Sequence, residues 1–304
     1  MEAVQNVEKK KVNTNEIQGI NKQTFAQRLS AYKRQPLSLF LLILVCLSAL
    51  LTVGVLLFLI GYILVNGIPN IKPELFEWEY NTDNVSMLPS MINTLYMTGL
   101  TLLMAVPVGI FSAIYMVEYA KRGSKLVKIV RTTTETLQGI PSIVYGLFGY
   151  LMFVIGCHWG YTLMAGAITL AIMVLPVIMR TTEEALLSVP DSYREGSFGL
   201  GAGRLRTVFV IVLPSAMPGI FSGIILAIGR IVGETAALIF TAGTVATAAT
   251  GVMDSTRTLA VHMYCLLSEG LYMKQAYATA VILLVMVLVI NAVSGMIAKK
   301  FTKK

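Results

Sequence analysis

Charged residues are scarce in this sequence. Asp, Glu, Lys and Arg make up 13% of its 304 residues, against about 25% in a typical soluble domain. Apolar and aromatic residues supply 56%, and the mean hydropathy is +0.73. Neither a water-soluble enzyme nor a disordered chain combines so little charge with so many apolar residues. The composition therefore predicts a membrane protein with several spans.

Histidine and cysteine are also rare. The chain has two histidines, His158 and His262, and three widely separated cysteines, Cys46, Cys157 and Cys265, without a CxxC pair. This number and spacing fit neither a disulfide framework nor a zinc site, so we interpret the cysteines as small apolar residues. Each histidine is more typical of a loop or interfacial position than of a ligand. We expect neither a metal nor a cofactor to bind to this chain.

Motifs of nucleotide binding and catalysis are missing. No Gly-Lys pair occurs, so GxxxxGK[ST], the loop that binds ATP phosphates, is absent, as are HExxH and GxSxG. We also find no internal repeat of the kind that organises many secondary transporters. The sequence therefore argues against a membrane enzyme that acts alone, and it leaves open an autonomous channel or carrier.

Six apolar stretches are long enough to cross a bilayer, for which a helix needs about 20 residues. They predict an all-α polytopic protein with a membrane domain over residues 37–300, after a polar tail over 1–36. Within the tail, an interfacial helix is expected near 25–32. The third stretch should have a broken first turn at 138–142. The predicted spans are 37–65, 88–117, 137–157, 161–179, 215–245 and 276–298.

The distribution of Lys and Arg predicts the orientation of the chain. Twenty of them lie in the two termini and in the loops after the second and fourth spans, whereas only Lys72, Arg257 and Lys274 lie in loops on the other side. Basic loops stay in the cytoplasm, so both termini are expected there and the loops 66–87 and 251–274 outside. The net charge of +8 therefore reflects membrane topology and not a nucleic-acid surface.

The loop over residues 180–214 has structure of its own. Pro190 should break the preceding helix, and Ser192 and Glu195 have the spacing of a capping box, in which each side chain binds the other's backbone amide. A short helix is predicted over 193–200, ended by a run of glycines. A second helix is expected to follow, its apolar face formed by Leu205, Val208, Phe209 and Val212.

Two interpretations of this loop are open on physical grounds. It could be a surface loop whose amphipathic helix lies on the membrane, or a docking element for a cytoplasmic partner. A short helix held between two spans would pass the movement of such a partner on to those spans.

A resemblance favours the docking element. The spacing in this loop resembles the EAA loop of ABC importer permeases, whose pattern is Glu-Ala-Ala, three residues, Gly, nine residues, then Ile-x-Leu-Pro. Small residues stand in place of the two alanines, so close packing there is expected to be kept. The matching residues are Glu195, Gly196, Ser197, Gly201, Ile211, Leu213 and Pro214.

This resemblance implies the type I importer permease (MetI-like) fold with six transmembrane helices. It implies a coupling helix seated in a separate cytoplasmic ATPase dimer, which uses ATP and Mg²⁺. A second permease subunit would complete the pore, and an external solute-binding protein would deliver the substrate. The chain would then be a multi-pass protein of a bacterial or archaeal cytoplasmic membrane, in contact with lipid.

The fifth predicted span carries the only charges that lie deep in a span, Arg230 and Glu234. One interpretation is a structural ion pair between residues one helical turn apart. The other is an anion site on the transport path, because intramembrane charges are costly and guanidinium binds oxyanions in a planar fork. Both charges share a helix stripe with Gly219 and Gly223. Two GxxxG pairs would allow close helix approach: Gly219 with Gly223, and Gly229 with Gly233.

Further motifs resemble the PstA-type permeases of inorganic-phosphate importers. They include the runs 229–243 and 189–195, and Arg180 at the end of the fourth predicted span. The resemblance implies that Arg230, Glu234 and Arg180 serve the substrate path, although Arg180 could instead be a topology anchor. It also implies a PstC-like second permease, a PstB-like ATPase and a PstS-like phosphate-binding protein. A PstC-type subunit, or a permease for another oxyanion such as sulfate, is the alternative.

Overall fold

The structure is a computed structural model that describes residues 36–121 and 123–302. The predicted tail over residues 1–36, with its interfacial helix near 25–32, lies outside the described residues except for Pro36. The described chain falls into two units: one ends at Gly61 and holds most of the first helix, and the other begins at Tyr62. The regular elements of the described residues are all helical, as the sequence predicts.

Long helices form where apolar residues run without interruption, and the breaks between them fall at glycine, proline and polar residues. Three π-helical segments extend or join helices: Tyr115–Tyr119, Tyr150–Gly156 and Val208–Val212. The α-helices are α1 (Pro36–Gly67), α2 (Leu88–Ile114), α3 (Lys125–Gln138), α4 (Ser142–Gly149), α5 (Leu163–Leu187), α6 (Asp191–Gly199), α7 (Arg204–Thr207), α8 (Leu213–Val232), α9 (Ala236–Thr241), α10 (Leu259–Glu269) and α11 (Met273–Thr302).

In the described chain, five helices are long and apolar enough to cross a bilayer, and six spans result if one bent pair counts as a span. That pair is α3 followed by the segment Ser142–Gly156, with a bend of 104° between them. The break predicted at 138–142 is therefore confirmed. Within the span predicted over 137–157, the continuous helix begins only at Ser142, because Pro141 lies at the N-cap of α4.

The fifth span differs from its prediction at both ends. One helix runs from Arg204 to Val232, so the predicted loop over 180–214 is shorter than expected. The helix before this loop, α5, also continues to Leu187. Only residues 188–203 therefore lie between α5 and the helix that begins at Arg204. The helix of the fifth span, which ends with α8, stops at Val232 instead of residue 245. After a break the chain forms the short helix α9.

The core lies where α2, α5 and α8 pack side by side. Close approach depends on small residues: a Cβ added at Gly219 would lie 2.6 Å from the Cβ of Ala185, and one at Gly223 would collide with Thr181. The first predicted GxxxG pair therefore packs α8 against α5, as expected. At Gly229, by contrast, an added Cβ would meet no atom of the described chain within 4 Å, so the second pair makes no such contact.

Candidate translocation and docking sites

Arg230 lies in the last turn of α8, where a basic side chain is favoured by the partial negative charge of the helix C-terminus. It lines a cavity of about 420 Å³ between α5, α8 and α11. Among the described residues, no carboxylate forms an ion pair with it. We call this the Arg230 cavity; its walls are formed by Val177, Ile225, Leu226, Gly229, Arg230 and Asn291.

Glu234 does not lie on the helix that carries Arg230. The helix ends at Val232, and the buried Glu234 carboxylate accepts a hydrogen bond from the backbone N–H of Ala237 at 3.1 Å. This position places the negative charge at the N-terminal end of α9, where it is stabilised by the free backbone amides. The predicted shared helical stripe of Arg230 and Glu234 is therefore wrong, and the alternative interpretation, a structural ion pair between them, finds no such pair among the described residues.

Asn291, in α11, is the polar residue of this cavity that sequence reasoning missed. Its side-chain Oδ1 atom is buried and has no hydrogen-bond partner within the described chain. A carboxamide in an otherwise apolar span is the signal that could have identified it. Polar groups in membrane helices are energetically costly, so those that occur there typically serve a function. Arg230 and Asn291 together give the cavity a donor and an acceptor on facing helices.

A second cavity, of about 500 Å³, continues along the junction between α5 and α8. Ile225 and Leu226 line both cavities. The polar wall of the second cavity is formed by Thr181 and Glu184 on α5 and by Ser222 on α8. The two cavities together form a groove along the α5–α8 pair.

Arg180 is next in sequence to Thr181, which lines the second cavity, but its own side chain does not line either cavity. It is exposed and forms an ion pair with Glu184, with 3.0 Å between Nε and Oε1. Because α5 extends to Leu187, Arg180 lies inside this helix and not at its end. The neighbouring Glu183 pairs with Arg131 on α3. The assignment of Arg180 to the substrate path stays a prediction.

The short helix α6 presents an exposed surface at one end of the bundle. Tyr193 and Phe198 are about half exposed, and Leu200, just after the helix, is 91% exposed. Such apolar exposure on a short charged helix is typical of a protein contact. Ser197 faces the other way: it is buried, and its hydroxyl lies 2.8 Å from that of Thr207.

Most residues of the EAA-like pattern lie around this helix. Gly201 follows α6 with φ of +82°, a backbone conformation that favours glycine, so its predicted role in ending the helix is confirmed. Gly196 is exposed, with no atom of the described chain near an added Cβ, so the close packing expected there is not made within this chain. Glu195 and Pro214 are exposed, whereas Ile211 and Leu213 are partly buried.

The predicted capping box is wrong. The helix begins at Asp191, with Pro190 at its N-cap and without a side-chain cap from Ser192. Pro190 supplies a fixed φ, and the Asp191 carboxylate in the first turn is favoured by the helix dipole.

Arg194 fixes α6 to the membrane helices, and sequence reasoning did not identify this role. Its side chain is 15% exposed and pairs with the buried carboxylate of Glu118, with 2.7 Å between Nη2 and Oε1. It also donates to the carbonyls of Leu186 and Val189 at 2.9 and 2.8 Å. One guanidinium therefore joins α6, the end of α5 and the π-helical end of the second span. A movement of α6 would be passed directly to these helices.

The fold and the two sites define a class of protein. A helical membrane bundle with a groove at an arginine, and with a surface helix attached at one end by a buried ion pair, is the arrangement expected of a membrane transport subunit. The comparisons identify the family. Residues 105–304 match the sequence profile of the "Binding-protein-dependent transport system inner membrane component", and the chain belongs to this family.

Curated relatives agree with this assignment. The chain is 34% identical over 282 residues to a probable ABC transporter permease protein, YqgI, of Bacillus subtilis; the match covers 85% of this chain and 94% of that protein. It is 32% identical over 218 residues to the phosphate transport system permease protein PstA of Haemophilus influenzae, covering 71% and 77%. It is 38% identical over 182 residues to PstA of Pasteurella multocida, covering 59% and 64%.

Solved structures share the fold at low sequence identity. A bacterial ABC transporter that imports the acidic polysaccharide alginate matches with a TM-score of 0.63 and 18% identity, covering 90% of this chain and 99% of that chain. The MetNI methionine ABC transporter matches with a TM-score of 0.56 and 20% identity, covering 70% and 93%. The chain therefore has the type I importer permease (MetI-like) fold predicted from its sequence.

Proposed function

We propose that this chain is a permease subunit of an ATP-driven importer of inorganic phosphate and forms half of the translocation pore. The relatives named as phosphate transport permeases support the choice of substrate. The observation that carries the proposal is the position of Arg230: a fixed cation in a groove of the membrane domain, without a carboxylate partner in the described chain.

The chemistry of Arg230 suits an oxyanion. Guanidinium is always charged at physiological pH and presents a planar fork of N–H donors to phosphate oxygens. A membrane helix carries such a charge at a cost of about 2.5–3.5 kcal/mol on the insertion scale, so an unpaired one indicates a function. Transport also needs release, and a single cation in an open groove binds more weakly than an enclosed site.

The coupling partner is proposed to be a separate cytoplasmic ATPase dimer, since this sequence has no nucleotide-binding loop. The exposed apolar residues of α6 are the surface that would enter a groove of that ATPase. A second permease subunit, PstC-like, would supply the other half of the pore. An external phosphate-binding protein would deliver the substrate.

The backbone at Gly201 gives a test of coupling. Replacing Gly201 with Leu forces a side chain into a φ of +82° and is expected to reorient α6 relative to α7. Phosphate uptake by cells should then fall by about 5- to 150-fold, since a strain of about 1–3 kcal/mol acts on α6. We expect the partner ATPase still to hydrolyse ATP.

A matched control is available two residues away. Gly203 also has open space around it, but its φ is −73°, which any residue adopts. Gly203→Leu adds the same side chain without the strain, so uptake should stay near the wild-type level. Normal uptake by Gly201→Leu would mean that the turn after α6 does not serve coupling.

The orientation of the chain is also part of the proposal. From the distribution of Lys and Arg, we propose that α6 and both termini lie in the cytoplasm. A cysteine placed at the exposed position 204 in a chain without its native cysteines should resist membrane-impermeant maleimide in intact cells. A cysteine at position 274, in the predicted outer loop, should react. Labelling at position 204 would contradict the orientation.

A further inference from the structure

The loop after α9 is fixed onto the beginning of α2 by one buried asparagine. The side-chain amide of Asn93 donates to the carbonyls of Thr247 and Arg257, at 2.9 and 3.2 Å, and its oxygen accepts the N–H of Ala249 at 2.9 Å. Asn93 lies near the start of the second span, whereas Glu118, which holds α6, lies at its end. At 1.5 Å per residue the two are about 37 Å apart, so this loop is at the end of the bundle opposite to α6.

Arg257, in this loop, is a buried cation without a counter-charge. The residue is 5% exposed, and its Nε and Nη2 atoms are buried without a hydrogen-bond partner in the described chain. No carboxylate of the described residues forms an ion pair with it. Its guanidinium lies over the ring of Tyr80, 4.6 Å from the ring centre. A cation–π contact offsets only part of the cost of burying a charge.

His262, on α10, adds further unused hydrogen-bonding groups. The sequence predicted a loop or interfacial histidine, but the side chain is completely buried in the folded bundle. Neither ring nitrogen has a partner in the described chain, and the ring stands edge-on to Tyr80 with 6.1 Å between centroids. Burial, and then the charge of Arg257, lower its pKa from 6.5 to about 3. The imidazole is therefore neutral at physiological pH, with one N–H donor.

The hydroxyl of Thr258 is also buried and has no hydrogen-bond partner among the described residues. Tyr80, which contacts both Arg257 and His262, also lines an open cavity of about 450 Å³ together with Trp78, Tyr96 and the loop residues 247–250. Arg257, Thr258 and His262 lie behind Tyr80 and do not line this cavity themselves. Glu79 lines the same cavity, so an anion there would be held weakly. Native proteins rarely leave several buried donors unsatisfied in one place without a bound group to satisfy them.

We propose that Arg257, with His262 and Thr258 beside it, forms a binding site for inorganic phosphate at the end of the bundle opposite to α6, behind Tyr80 and the cavity that Tyr80 lines. The guanidinium would supply the charge and a fork of donors, and the neutral imidazole and the hydroxyl would supply further hydrogen bonds. A small oxyanion fits better than a protein carboxylate, because so little of Arg257 is exposed. The identity of the anion rests on the proposed function.

Phosphate-dependent stabilisation of the purified full-length chain tests this site. The thermal unfolding of the chain in detergent is followed with increasing inorganic phosphate, and with chloride at equal ionic strength. All variants carry Arg230→Gln, so that the groove does not contribute to binding. A ligand that binds only the folded state raises its stability with concentration. We expect phosphate to raise the unfolding temperature, and chloride not to.

Adding Arg257→Met should weaken the apparent phosphate affinity at least about tenfold, the effect of losing charge-assisted hydrogen bonds. Lys274→Gln removes an exposed charge from the same predicted side and should leave the affinity unchanged. Arg257→Lys keeps the charge but lacks the fork, so its phosphate affinity should be intermediate. This variant tests the site if the Met variant does not fold.

Equal phosphate effects with and without Arg257 would overturn the site, as would the absence of any phosphate effect. Either result leaves the proposed function intact if the assembled complex still imports phosphate. If sulfate stabilises the chain through Arg257 and the complex imports sulfate instead, the site stands and the proposed substrate is wrong.

Discussion

Replacing Arg230 with Gln is expected to lower phosphate uptake by about 10- to 100-fold while the chain still assembles with its partner subunits. The range corresponds to losing one hydrogen bond from a charged group, about 1.5–3 kcal/mol. Assembly should persist because Arg230 makes no ion pair in the described chain, so its removal leaves no buried charge without a partner. Uptake of labelled phosphate by cells, with co-purification of the partners, measures both quantities.

Two further variants separate the charge of Arg230 from its shape. Arg230→Lys should recover only part of the uptake, since an ammonium lacks the planar fork. Lys274→Gln, which removes an exposed charge outside the groove, should behave as the wild type. Full uptake by Arg230→Gln would move the site elsewhere, and loss of the assembled complex would favour a structural role for Arg230.

Breaking the buried ion pair between Arg194 and Glu118 should lower phosphate uptake by a comparable factor. The chain would be less stable, and α6 would be less firmly attached to the membrane helices. Arg194→Met leaves the Glu118 carboxylate, which is 8% exposed, without its partner. Removing one member of a buried ion pair typically costs about 3–5 kcal/mol. The variant should unfold at a lower temperature in detergent and should co-purify poorly with the ATPase.

The matched control uses the same arginine. Asp191 also pairs with Arg194, at 3.2 Å, but its side chain is 79% exposed. Asp191→Asn should therefore change stability by no more than about 0.5 kcal/mol. Combining Arg194→Met with Glu118→Gln removes both charges and should recover part of the stability. If Arg194→Met were as stable and as active as the wild type, the attachment of α6 would not depend on this pair.

Sequence reasoning located the membrane helices because apolar length determines a span directly. It also located α6 and the turn at Gly201, where glycine and proline act locally. It failed at the fifth span, since the apolar run continues to residue 245 while the helix stops at Val232. Hydropathy does not distinguish a continuing span from a short buried helix, and the break at Gly233 is stabilised by the Glu234 side chain binding to the next helix.

The apolar face of the second helix of the loop was predicted only in part. The sequence predicted an apolar face that included Leu205 and Phe209, but both are exposed, and Thr207 and Val208 are buried with Val212. Two of the four predicted residues, Val208 and Val212, are therefore buried as expected. An apolar pattern does not show which of its residues find a packing partner, because that depends on the neighbouring helices.

The groups that sequence reasoning missed depend on contacts between distant segments. Glu118 and Arg194 are 76 residues apart, and no periodic pattern joins them. Asn93 and Arg257 meet only because the loop after α9 folds back onto α2. Such pairs follow from the tertiary packing of the helices, whereas the resemblance to a family identified the local motifs.

The most direct measurement is phosphate uptake by proteoliposomes that contain this chain, its second permease subunit and its ATPase. Phosphate-loaded binding protein is supplied outside the vesicles, and ATP is enclosed with the ATPase. We predict that labelled phosphate enters only when ATP is present, that Arg230→Gln reduces this uptake, and that labelled sulfate does not enter at a comparable rate. Phosphate uptake that is equally fast without ATP, or equally fast in the Arg230→Gln complex, would contradict the account.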